Sequence, residues 1–191
     1  FVDGFPQTTA DGQSQVDNIN LSFIQSAEII RGSSSSIYGN ASGGVIQLFT
    51  EPYPKQRQIK SSISIGDFGY RNIQSSIGDG ASTQKYMLKI SSKSYDGYRD
   101  NSEMNSFNIN MKSLFELNQN STLSMHYNYV DSPLSNDPGS LNKEQAGENR
   151  RSARIQNIDY QSGEKVLQHR LGASYKPVSY THLTLPTTRL V

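Results

Sequence analysis

Three histidines, four successive serines, a glycine-rich run and two clusters of loop acids are the residues of this chain whose types could support chemistry. None is arranged to do so. His126, His169 and His182 lack the i, i+4 His or Glu partner that puts two metal ligands on one helix face. His126 falls on the polar register of a strand pattern, where a solvated side chain accounts for it. Ser33 to Ser36 have no Gly-x-Ser-x-Gly elbow and no base beside them to activate a nucleophile. Gly39-Asn-Ala-Ser-Gly-Gly44 lacks the Gly-Lys-Ser/Thr that cradles phosphates. Asp96, Asp100 and Glu103 share one loop, and Asp131 and Asp137 another. They lack EF-hand spacing and read as solvated acids. The chain has no Cys, which removes disulfides, thiol catalysis and Cys-ligated zinc. The expectation is a protein that is not an enzyme, with no cofactor and no bound metal. Four tyrosines stay open as a surface feature: Tyr127 and Tyr129 as an aromatic girdle, Tyr95 and Tyr98 as loop groups that could meet a ligand.

The elements that would carry these residues are legible in period and composition. Of 191 residues, Ser, Asn and Gln supply 29, 15 and 14, whereas charged residues are 18% and hydrophobic ones 34%. A disordered chain is usually rich in charge and poor in aromatics. This one keeps 11 Tyr and 7 Phe. No apolar run approaches the length of a membrane helix. A formal charge of +1 gives no bulk attraction to nucleic acid.

From Gln58 the text alternates with period two. Ile59, Ile63 and Ile65 oppose Lys60, Ser62 and Ser64. Tyr86, Leu88 and Ile90 oppose Lys85, Met87 and Lys89. Phe107, Ile109 and Met111 oppose Asn108, Asn110 and Lys112, and Leu123, Met125, Tyr127 and Tyr129 oppose Thr122, Ser124, His126 and Asn128. Such alternation gives a strand one apolar and one polar face. Two weaker strands are expected over 153–161 and 165–176. That makes about seven, each near the ~9–11 residues that cross a bilayer at a tilt. From the third loop onward, long and short connections alternate, with 131–152 among the long ones. Outer-membrane barrels turn their apolar face to lipid and their polar face to a wet lumen, and their two ends carry loops of different length. A soluble sheet packs the apolar face inward instead. If Ile63, Leu88, Ile109 and Met125 lie beneath a second layer, the membrane reading fails.

The first fifty residues differ. A helical patch is expected over 17–25, capped by Asp17, then a short strand over 27–31 and a helical turn over 33–38. A strand entered through glycines follows over 43–50. Glu51-Pro-Tyr-Pro54 breaks regular structure, and 51–57 reads as a linker.

Val2-Asp-Gly4 and the run Glu28-Ile-Ile-Arg-Gly-Ser-Ser-Ser-Ser-Ile-Tyr-Gly-Asn-Ala-Ser-Gly-Gly-Val-Ile46 resemble the C-terminal part of the plug domain of TonB-dependent outer-membrane receptors. Ser33 stands where that family usually has Pro. The text around Tyr95 to Asn101 and Ser132 to Gly139 is similar to barrel-loop text of iron-complex receptors. The resemblance implies a β fold: an antiparallel up-and-down transmembrane β-barrel fragment, about seven of 22 strands, preceded by the end of an α+β plug. On that basis 1–50 is plug, 51–57 linker and 58–177 barrel. The stretch 178–191 resembles a translated sequencing adaptor and is set aside.

The resemblance further implies import of a scarce large solute, most often a ferric siderophore or other iron complex, across the outer membrane of a Gram-negative bacterium. The partners would be outer-membrane lipid, a small-molecule metal complex and the TonB complex, the last through a segment expected to precede this chain, and not nucleic acid. Asp3, Gly4, Glu28, Arg31, Gly32, Tyr38, Gly39, Gly43 and Gly44 would anchor plug to barrel, with Glu28 and Arg31 meeting charges on barrel strands. Tyr95, Tyr98, Arg99 and Asp137 would face the ligand. The competing expectation is a soluble or surface β-rich binding module without transport.

Overall fold

A computed structural model describes residues 1–7, 19–32, 38 and 43–177. Within them the chain forms two sheets. The small one pairs β1 (Ile24–Arg31) with β2 (Gly44–Thr50) antiparallel. The large one has six strands in sequence order: β3 (Gln58–Ile65), β4 (Arg71–Asp79), β5 (Gln84–Tyr95), β6 (Met104–Asn118), β7 (Ser121–Asn136) and β8 (Gly163–Pro177). Each pairs antiparallel with its neighbour, an up-and-down meander whose edges are β3 and β8.

Two adjacent rows of residues show what the sheet is for. One row, Ile59–Ile77–Leu88–Met111–Tyr127–Leu171, crosses all six strands on one face. The next, Lys60–Ser76–Lys89–Asn110–Asn128–Arg170, crosses them on the other. The period-two pattern has thus become an apolar wall and a polar wall of one sheet. The apolar wall is open. Ile63 is 69% exposed and Met125 37%, while Leu88 and Ile109 are half-buried among their strand neighbours. Among the described residues, the hydrogen bonds from the large sheet to residues 1–51 start on the polar wall, at Lys89, Ser91, Lys112 and Arg170, and Lys89, Ser91, Asn108, Asn110 and Lys112 are buried there. This is the inverse of a soluble sheet, and it is the arrangement of a lipid-facing barrel wall.

Three sequence expectations change. The segment 153–161 is no strand: it holds the short helix α2 (Ile155–Asp159), after α1 (Lys143–Glu148), inside one long connection. Its apolar residues Ile155 and Ile158 stand three apart, a helical interval, and both remain exposed. Removing that strand makes the loops regular. Connections 66–70, 96–103 and 137–162 lie at one end, and the tight turns 80–83 and 119–120 at the other. Second, β7 runs on to Asn136, with a register shift between Ser132 and Ser135 that accommodates Pro133. Tyr127 and Tyr129 therefore sit mid-strand on the outer face rather than near a strand end. Third, the helical patch shrinks to one 3-10 turn, Leu21–Phe23, capped by the Asn20 side chain, and β1 starts directly after it. Asp17 and, apart from Tyr38, the turn expected over 33–38 lie outside the described residues, as do Gly39 and 178–191.

Candidate functional site: the plug seat and the long-loop end

The opening motif folds into a two-residue turn. Val2 and Phe5 exchange both backbone hydrogen bonds at 2.9 Å. Asp3 and Gly4 lie between them at φ +46° and +82°. Asp-Gly suits this geometry because both central residues of such a turn need positive φ. The turn lies alongside β2 through Asp3 N–H to Leu48 O and Leu48 N–H to Phe1 O, each 2.9 Å. Its purpose is to present the Asp3 carboxylate. Oδ1 accepts from the Thr50 amide at 2.9 Å, and Oδ2 accepts from the Thr50 hydroxyl.

Lys112 reaches the same corner from β6. Its Nζ donates to Thr50 Oγ1 at 2.6 Å and to Glu51 O, and stands 3.9 Å from Asp3 Oδ2. The Tyr53 ring lies 4.7 Å from it and the Phe23 ring 5.7 Å. Only 6% of the Lys112 side chain is exposed. A buried ammonium costs several kcal/mol unless it is paired and hydrogen-bonded, which this one is. Beside it, burial together with the Asp3 charge pushes the Tyr53 phenol up to about 12. Lys89 adds a bond to Ser22 O, and Asn20 donates to Ser91 Oγ at 2.8 Å. Arg170 donates to Gln7 Oε1. A cleft of about 650 Å³ is lined by residues of 2–7, of 19–24 and of β6–β8.

The other motif residues divide. Gly44 is required: at φ +136° a Cβ would stand 2.5 Å from Ile30 O. Gly32 also has positive φ, whereas Gly43 faces open space. The Tyr38 hydroxyl accepts from Gln47 Nε2 at 2.7 Å, and its ring lies 5.3 Å from Phe1. Glu28 and Arg31 are exposed, and among the described residues no ion pair joins them to a barrel strand. Of the residues expected to anchor the plug, Asp3 is the one that, among the described residues, forms an ion pair with a barrel strand.

At the long-loop end two of the four candidates are framework. Arg99 donates to Ser152 O twice (3.0 and 2.8 Å), Gly139 O (2.7 Å) and Pro138 O (3.2 Å). Asp137 accepts from the Gly139 amide at 2.8 Å and from Asn157 Nδ2 at 3.2 Å. Asn101 Nδ2 adds Asp137 O at 2.8 Å. These residues clamp connection 96–103 to 137–162, Arg99 half-buried and Asp137 still exposed. Tyr95 is half-buried, its hydroxyl accepting from the Tyr98 amide at 3.0 Å. Tyr98 is 40% exposed and packs edge-on against Phe68 at 5.1 Å. The Arg151 guanidinium lies 5.7 Å from Phe68 and 5.9 Å from Tyr98. The outward group is therefore Phe68, Tyr98 and Arg151, of which only Tyr98 had drawn attention. The group sets a cation on an aromatic platform.

Residues 1–45 match the TonB-dependent Receptor Plug Domain family. The chain opens with a TonB-dependent receptor plug segment. The plug's turn and hairpin are thus what sits on the polar wall. The fold is similar to the siderophore receptor PiuA from Acinetobacter baumannii: TM-score 0.57 and 19% identity over 69% of this chain and 18% of that one. It is also similar to the FpvAI–pyocin S2 complex: TM-score 0.55 and 14% identity over 69% and 18%. The ferripyoverdine receptor of the outer membrane of Pseudomonas aeruginosa, solved with ferripyoverdine, gives 0.51 and 14% over 64% and 18%. At these identities the likeness shows the fold: plug elements followed by strands of a receptor barrel, here an open sheet. The chain spans 18% of the length of each.

Proposed function

We propose that this chain is part of an outer-membrane receptor of a Gram-negative bacterium that imports a scarce, large solute, most often a ferric siderophore or other iron complex, with energy from the TonB system. One observation carries the reading: a plug segment seated on the polar wall of a sheet whose opposite wall is apolar and open. Only a wall standing between lipid and a wet, occupied lumen needs both properties. The named relatives, transport receptors for siderophores, support the class of solute. Phe68, Tyr98 and Arg151 at the long-loop end form the face by which an anionic or aromatic complex approaches, and Arg99, Asn101 and Asp137 hold that face rigid. A soluble binding module would leave Ile59, Ile63 and Leu171 in water at 69%, 69% and 74% exposure, an arrangement with no stabilising gain.

Deletion of the full-length gene tests the proposal. Under iron starvation the deletion strain loses uptake of one ferric complex among a panel of radiolabelled hydroxamate, catecholate and citrate complexes, and collapse of the proton gradient abolishes the same uptake in the parent. Unchanged uptake of every complex overturns the substrate class. Uptake that is lost on deletion but survives gradient collapse overturns the energy source.

A further inference from the structure

We propose that one inward row of the barrel wall, Lys112, His126 and Gly172, is a seat that holds the plug's Val2–Phe5 turn closed against the wall, with Lys112 and Gly172 as its positioning residues. This rests on the transport reading above and adds the element of the wall that keeps the plug shut. The row is contiguous: Lys112 pairs with His126 across β6 and β7, and His126 with Gly172 across β7 and β8. The turn touches all three positions. Asp3 meets the Lys112 ammonium at 3.9 Å. The Phe5 ring lies 4.4 Å from the His126 ring. It also lies flat on Gly172, where a Cβ would stand 2.3 Å from Phe5 Cδ1. Glycine at that one position of β8 is what leaves room for the ring.

The electrostatics make the seat behave as a lock. On the wall, the cross-strand neighbours of Lys112 are Met87 and His126, and neither is an acid. The one carboxylate in its ion pair belongs to the plug, and its further acceptors, Thr50 Oγ1 and Glu51 O, stand at the plug's exit into the linker. One ammonium thus joins the start of the plug segment to its end. Lifting the turn takes the paired carboxylate away from a buried cation and leaves it only neutral acceptors, so closure is favoured until another anion replaces Asp3. Thr50 couples the two sides, since its hydroxyl touches both Asp3 and Lys112.

The test uses the full-length receptor reconstituted in planar bilayers, with open time as the readout. Lys112→Met and Asp3→Asn each raise open time at least tenfold over a closed wild type, and the double variant opens no more than either single, because both remove the same contact. Lys112→Arg restores closure. Gly172→Val displaces Phe5 and leaks although both charges remain. Amide exchange at Val2 to Phe5 accelerates in each leaking variant, while the exchange of β4 and β5 is unchanged. If Lys112→Met does not fold, Asp3→Asn and Gly172→Val decide the matter. Open times within twofold of wild type overturn the seat, as does a double variant whose effect is the product of the singles. A wild type that does not insert overturns the transport reading itself, and an inserted, closed wild type with an equally closed Lys112→Met overturns the seat alone.

Discussion

Met111→Arg separates a lipid-facing wall from a water-facing one. Met111 is the midpoint of β6 (Met104–Asn118) and lies in the apolar row that crosses the whole sheet. It is 44% exposed. In water, so exposed a site has little burial to lose, and a surface exchange changes stability by about 0.5 kcal/mol or less. Facing hydrocarbon near the midplane, the same exchange costs about 2–4 kcal/mol. At about 1.4 kcal/mol per factor of ten, that lowers the folding equilibrium by about 30- to 1000-fold. Ser62→Arg is the internal control. Ser62 is exposed on the opposite, polar wall, and an added charge there meets a hydrated lumen at a cost below about 0.5 kcal/mol. The assay is urea unfolding of the full-length receptor in phosphatidylcholine vesicles, read by the gel mobility shift of folded barrels. Equal midpoints for the two variants would refute the assignment of the walls. A larger loss for Ser62→Arg would reverse it.

Three further outcomes follow from the same geometry. Arg99→Met removes hydrogen bonds from a charged donor to Pro138, Gly139 and Ser152, each worth about 1.5–3 kcal/mol. Amide exchange at Asp100, which bonds across the same two connections to Arg151 O, should accelerate about 100-fold, and an unchanged rate would remove the clamp from the account. Gly4→Ala adds a Cβ where nothing lies within 4 Å, so its cost is conformational alone, about 1–2 kcal/mol for φ +82°, measured as a shift in unfolding midpoint. Tyr53 holds its proton more tightly folded than unfolded, so its contribution is whole below pH ~10 and is lost as pH rises toward about 12. Tyr53→Phe should flatten the alkaline end of the stability profile and remove one late-ionising phenol from the ultraviolet titration.

The strands were readable because a half-lipid, half-lumen wall writes a period of two into every segment it contains, and Ile59 to Leu123 keep that period. The segment 153–161 misled because its apolar residues are sparse and solvent-exposed, so no buried face imposes a period. Val2-Asp-Gly4 pointed to the plug seat, yet half of that seat lies on β6 to β8. Lys112 was legible as a polar-face lysine among neutral neighbours, as was Lys89, but its partners are more than 60 positions away at Thr50 and Glu51. No local pattern records such a distance. Arg99 and Arg151 share one loop end and one charge; only the packing distinguishes the one spent on carbonyls from the one turned outward.

The helix Lys143–Glu148 buries none of its residues and is closed by its own capping box, Asn142 with Gln145. Gly147 within it has nothing within 4 Å of where a Cβ would stand. A cysteine placed at Gly147 gives this cysteine-free stretch a thiol, and its labelling in living cells by a membrane-impermeant maleimide dye is the outcome that an outward-facing long-loop end requires.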